Sequence, residues 1–131
     1  MATELTVKLP NRAGQLGELA AALGDAGVNM RSIAATTGGG RGTVHVVVDD
    51  KDAANARRAL RAKKLRITSD RKVVALRLAD RPGTLARAAS RLGKAKVNIE
   101  SAYVLSQSKK STTLALGVKD ARAANKALGR R

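Results

Sequence analysis

The sequence predicts an α+β protein built twice: two βαββαβ units in tandem, each with an antiparallel-rich sheet and helices on one face. The second unit lacks its last strand. Two observations lead there. A stretch beginning at Asn11 recurs 69 positions later at Asp80, in unbroken register, setting Gly14 against Gly83, Leu16 against Leu85, Leu23 against Leu92 and Asn29 against Asn98. Self-similarity at a fixed offset marks a duplicated supersecondary unit. Within each copy the hydrophobic period then switches between 2 and 3.6 in the same order, strand, helix, two strands, helix. The expected units are residues 1–69 and 70–131.

In the first unit Leu5, Val7 and Leu9 alternate with Thr6 and Lys8, as a half-buried strand does, and Pro10 ends it. Leu16, Leu19, Ala20 and Leu23 then fall on one helical face, closed by Gly24 and Gly27. Residues 30–37 read as a second strand, Gly38 to Gly40 as a hairpin, and residues 43–48 as the return strand. Asp49 or Asp50 is expected to cap a helix whose Ala53, Ala56 and Leu60 face inward. Residues 65–68 supply a short fourth strand. In the second unit Val74, Leu76 and Leu78 alternate, Leu85, Ala88, Ala89 and Leu92 stripe a helix, and residues 99–105 and 112–118 form a hairpin. Ala124 and Leu128 repeat the inward positions of Ala56 and Leu60 on a last helix. With no fourth strand after it, the strand at 72–78 has an open edge, and 65–68 is expected to bridge the units by pairing on both sides.

Each unit of about 65 residues buries only about 60% of its unfolded surface, and the core lacks Phe and Trp. Shared packing or oligomerisation is therefore expected, as a homodimer or higher. Zero cysteines exclude disulfides and thiolate metal sites. No apolar run has the length of a membrane span, and Glu4 sits where a signal peptide would be apolar, so the expectation is a cytoplasmic protein without membrane partners. The formal net charge of +16 points either to a polyanion partner or to a solvated basic surface.

The repeated corner has its own chemistry. A strand ends, Gly14 lets the backbone turn and approach a neighbour, and a helix begins with its first amides free. Free amides and the helix dipole suit a carboxylate, while the side-chain amides of Asn11 and Asn29 both donate and accept. The set suits a zwitterionic amino acid. In the second copy Asp80 is placed to pair with an ammonium, alongside Gly83 and Asn98. The plainer reading makes Asn11 and Asp80 helix caps and the glycines mere turns.

A strand followed by Asn11-Arg12-Ala13-Gly14-Gln15-Leu16, a dozen helical residues and Val28-Asn29-Met30 resembles the ACT domain family, as does Asp80-Arg81-Pro82-Gly83-Thr84-Leu85 with Val97-Asn98-Ile99. The resemblance covers almost the whole chain as two copies. It implies ferredoxin-like βαββαβ regulatory modules that bind amino acids and related small ligands at interfaces between paired modules. It implies a ligand-binding set of Asn11, Gly14, Gln15, Leu16, Asn29 and Met30, with Asp80, Gly83, Thr84, Leu85, Asn98 and Ile99 in the second copy. The Asn11 and Asn29 pair resembles the serine-binding asparagines of phosphoglycerate dehydrogenase regulatory domains, which come one from each of two modules. Asn98 to Ser101 is similar to the small regulatory subunit of acetohydroxyacid synthase. Ala13 stands where the family usually has proline, and no catalytic domain is attached. The resemblance thus implies a non-enzymatic sensor without a cofactor, acting on an enzyme partner in trans.

Other constellations carry less. Gly38 to Gly42 lacks the Lys-Ser or Lys-Thr of a phosphate-gripping loop. His45, the sole histidine, has no clustered ligands for a metal and no nucleophile beside it. Tyr103 is expected to pack. The alternative function is nucleic-acid or other polyanion binding. The strands carry no aromatics at the central positions where such folds stack bases, so it would rest on phosphate contacts by Arg57, Arg58, Arg61, Lys63, Lys64 and Arg66, echoed by Arg122, Lys126, Arg130 and Arg131. Such binding is sequence-independent and steeply salt-dependent.

Overall fold

The computed structural model describes residues 2–129, which form two compact units, Ala2–Asp70 and the chain from Arg71 onward. Arg130 and Arg131, expected in the basic surface, lie outside the described residues. The first unit runs β1 (Ala2–Pro10), α1 (Gln15–Asp25), β2 (Met30–Gly38), β3 (Arg41–Asp49), α2 (Asp50–Ala62) and then β4 (Arg66–Ala79), which continues into the second unit. There follow α3 (Thr84–Lys94), β5 (Ser101–Gln107), β6 (Ser111–Gly117) and α4 (Ala121–Ala127). Among the described residues no strand follows α4.

In the first unit the strand order is β2-β3-β1-β4. β1 and β3 pair antiparallel, Leu5 opposite Val46 and Val7 opposite Val44. These residues point to one face and pack with Leu19 and Leu23 of α1 and Ala53, Ala56 and Leu60 of α2, all buried. The period-2 and period-3.6 stripes therefore meet in a single small core, as an α+β layer requires. The opposite face of β1 is also covered: Glu4, Thr6 and the neighbouring Val47 are buried. His45 Nδ1 lies 2.9 Å from Thr6 Oγ1 and 3.8 Å from Glu4 Oε2.

The second unit repeats the plan over β4-β6-β5, with Val74, Leu76, Leu92, Leu116, Val118 and Ala124 forming its core. β4 pairs antiparallel with β6, and β6 with β5. Asp120 caps α4, its Oδ1 accepting the Ala123 amide at 3.0 Å.

Three expectations change. Residues 65–68 and the strand at Val74 are not neighbours to be paired but parts of one continuous 14-residue strand, β4. The polar run Thr68 to Lys72 reads as a connector, yet it alternates half-buried and exposed positions along the ladder. It is fixed by ion pairs of Arg57 with Asp70 and of Arg71 with Glu100. Asp49 precedes α2 without a side-chain cap. Its Oδ1 instead accepts Arg31 Nη1 at 2.6 Å, and Asp50 Oδ1 accepts Thr3 Oγ1 at 2.6 Å. Leu16 and Leu85, counted in the helical stripes, are 46% and 50% exposed, because each lies in the first turn, ahead of the part of the helix that crosses the sheet.

Candidate functional site

The corner after β1 is built from its sequence. Pro10 has no amide to extend the ladder, and the chain leaves the sheet after one last bond, Asn11 N–H to Gly40 O at 3.2 Å. Gly14 adopts φ +89° and ψ −15°, a left-handed conformation open to glycine, and α1 starts immediately after it. No side chain caps α1. Gln15 N–H reaches Arg12 O at 3.4 Å and Glu18 N–H reaches Gly14 O at 3.0 Å, leaving the Leu16 and Gly17 amides without a backbone acceptor among the described residues. These are the orphan donors of a helix start.

Beside this corner lies a cavity of about 170 Å³. Asn11, Gln15 and Leu16 line it on the loop and helix side; Thr36 and Thr37 of β2 and Gly42 of β3 line it on the sheet side. The cap reading of Asn11 does not hold, since its side chain makes no hydrogen bond among the described residues. Gly14 has open space where a side chain would project, at the mouth of the corner rather than in the cavity wall. Asn29 is exposed ahead of β2, away from the cavity lining, and Met30 packs against the core. Sequence reasoning missed Thr36, Thr37 and Gly42. The available signal was Gly42 itself, a glycine inside a strand, which leaves room above the sheet. Lys8, Arg41 and Arg66 border a neighbouring hollow of about 350 Å³ at Leu9 and Pro10, so the local field favours an anionic group.

The second corner has the same backbone but different surroundings. Gly83 has φ +88° and ψ −10°, and α3 likewise starts without a side-chain cap. Thr84 Oγ1 is engaged locally, donating toward Ala79 O at 2.9 Å and Arg81 O at 3.1 Å. Thr84 lines one hollow, whereas Asn98 lines another with Lys96, Glu100 and Lys119. Ile99 packs against the core, and Leu85 is exposed. Asp80 and Gly83 line neither of these two hollows. Of the basic residues on the first unit, Arg57 is held by Asp70 and Arg58 donates to Asn55 Oδ1 at 3.0 Å. The Asp70 hydrogen bond pushes the Arg57 guanidinium further up from its already high pKa. Among the described residues no group of three His, Cys, Asp or Glu could hold a metal, and no helix is long and apolar enough to cross a membrane.

A βαββαβ unit of this strand order is a ferredoxin-like module. The family model of the ACT domain matches residues 3–64, most of the first unit. A protein of Bacteroides thetaiotaomicron has a similar structure, with TM-score 0.81 and 22% identity over 97% of this chain and 85% of its own. The regulatory subunit of aspartate kinase from Thermus thermophilus gives TM-score 0.72 and 18% identity over 98% and 89%. The corresponding subunit from Thermus flavus gives 0.70 and 17% over 98% and 90%. At these identities the likeness is one of fold. No curated protein sequence matches the chain.

Proposed function

We propose that the first unit binds an amino acid at the Asn11–Leu16 corner and that the protein is a sensor acting on a separate enzyme. One observation carries the reading: α1 opens without a cap beside a cavity that Asn11, Gln15 and Leu16 line. The free amides of Leu16 and Gly17 receive the carboxylate, and the Asn11 side chain meets the ammonium. At about 170 Å³ the cavity is smaller than the ~300 Å³ at which drug-sized pockets begin, which favours a small amino acid. Asn29 stands apart from Asn11 within the unit, which fits a site completed by a second module. The ligand then biases association toward the pairing in which both asparagines meet it, and the enzyme partner reads that pairing. The ACT family match and the aspartate kinase regulatory subunits of like fold support a regulatory, non-catalytic role. In the second unit Asp80, Gly83, Thr84, Leu85, Asn98 and Ile99 keep the repeated backbone, but Thr84 and Asn98 line different hollows, which favours the first unit as the working site.

A thermal-shift panel of the twenty amino acids tests this. A cognate ligand at about 100-fold over its Kd adds about 2.7 kcal/mol of stability, a rise of several degrees in Tm. A flat response to every amino acid at millimolar concentration removes the sensor reading.

A further inference from the structure

The basic charge is not spread evenly. Between residues 2 and 70, eleven Lys and Arg stand against seven Asp and Glu; between 71 and 129, thirteen stand against three, Asp80, Glu100 and Asp120. Glu100 pairs with Arg71 and Asp120 caps α4, so little acid is left to answer that surface. The change is sharpest on the helix after the repeated corner. Glu18, Ala22 and Asp25 of α1 correspond, at the 69-residue offset, to Arg87, Arg91 and Lys94 of α3. The same scaffold thus bears two acids on one copy and three cations on the other.

Two of those cations, Arg87 and Arg91, border a groove of about 380 Å³ in the second unit. Leu76, Leu78, Ala88 and Leu128 give it an apolar lining; Arg81, Arg87 and Arg91 line it too, with Arg77, whose Nε donates to Ser111 Oγ at 3.2 Å, and no carboxylate does. None of these three arginines has an ion-pair partner among the described residues. Arg87 Nη1 lies 3.4 Å, and Arg91 Nη2 3.3 Å, from where a side chain on Gly83 or Gly129 would begin, so the two glycines leave the guanidinium groups their room. Arg87 and Arg91 are four apart on one helix, a like-charge spacing that destabilises unless something answers it. Guanidinium is always charged and presents paired donors that match phosphate oxygens.

We propose that this groove is a second binding site, separate from the amino-acid corner, that takes a ligand carrying at least two phosphate groups. Adjacent phosphates span neighbouring guanidinium groups and relieve their repulsion, and the apolar floor accepts whatever uncharged body the phosphates carry.

Titration calorimetry on the full chain in about 150 mM salt, where diffuse surface attraction is screened beyond ~8 Å, tests the assignment. The probes are inorganic tripolyphosphate, ATP and a thymidine oligomer. The variant is the double substitution Arg87→Glu with Arg91→Ala, which writes the first unit's residues into the second. The control is Arg61→Glu on α2. Binding of tripolyphosphate or ATP that falls about tenfold or more in the double variant, and less than about twofold in the control, supports the site. Tighter binding of ATP identifies the floor as a nucleoside seat; equal binding identifies the phosphates as the whole determinant. No binding of either probe overturns the proposal, as does an equal loss in the control. An oligomer that binds far more tightly per phosphate than both also overturns it, in favour of nucleic acid. Because Arg87 and Arg91 are exposed, the double variant is expected to keep its circular-dichroism melt, and its amino-acid response stays unchanged.

Discussion

Asn11 and Gly14 carry separate parts of the repeated corner. The Asn11 side chain lines the cavity but makes no hydrogen bond among the described residues, so its removal leaves nothing buried and unpaired. Asn11→Ala is expected to change stability by less than about 0.5 kcal/mol in a urea titration, the range of a surface substitution. Gly14 is different. The space for a side chain there is open. At φ +89°, however, any L-residue is strained whatever the room around it. Gly14→Ala is expected to cost about 1–2 kcal/mol in the same titration, through backbone conformation rather than a clash. An unchanged midpoint would show that the loop relaxes out of the left-handed region. The corner's role as a turn was legible because glycine, proline and asparagine punctuate the chain there. Its neighbours across the cavity, Thr36 and Thr37, were not, since they become neighbours only when β2 registers against β3, Thr36 opposite Thr43.

At the scale of elements, each core is a layer of small aliphatic side chains held between one sheet and two helices. Leu60 is fully buried in α2 against the β1–β3 pair, in a core with no aromatic ring to flow into the gap. Leu60→Ala is expected to destabilise by about 2–5 kcal/mol, enough to unfold a marginal unit at moderate temperature, as read by a thermal melt. The helix stripes and the alternating strands were legible because burial imposes those periods. The length of β4 was not. Ser69, Asp70, Arg71 and Lys72 have the composition of a connector, and only their partners on other elements hold them extended. One of those partners gives a pH test. The Arg71 hydrogen bond, with Coulombic help from Arg71 and Lys119, lowers the Glu100 carboxyl below its usual pKa. A depressed folded-state pKa contributes stability above the unfolded value and loses it as pH falls through the folded value. Glu100→Gln should therefore flatten the acid limb of the stability profile below pH ~4.3 and lower stability at neutral pH. Parallel profiles for the two proteins would mean that the ion pair does not form in solution.

For the whole molecule, duplication and divergence are the organising facts. Both copies keep the left-handed glycine and the uncapped helix, Gly14 before α1 and Gly83 before α3. The first sets that helix beside a small cavity lined by Asn11, Gln15 and Leu16, the second beside an arginine-lined groove, and the ACT family model matches within the first. The second keeps the fold while its helix carries Arg87, Arg91 and Lys94 where the first has Glu18, Ala22 and Asp25, and residues 71–129 hold ten of the sixteen net positive charges. The repeat was legible from register. The different fates of its copies were not, because a cavity depends on which side chains converge across elements. The central claim, that the first corner holds an amino acid, is tested most directly by titration calorimetry of that ligand into the wild-type protein and Asn11→Ala. Binding to the wild type is expected, with at least about a tenfold loss in the variant, about 1.4 kcal/mol, and an unmoved melting curve. Equal affinity in the two proteins would contradict it.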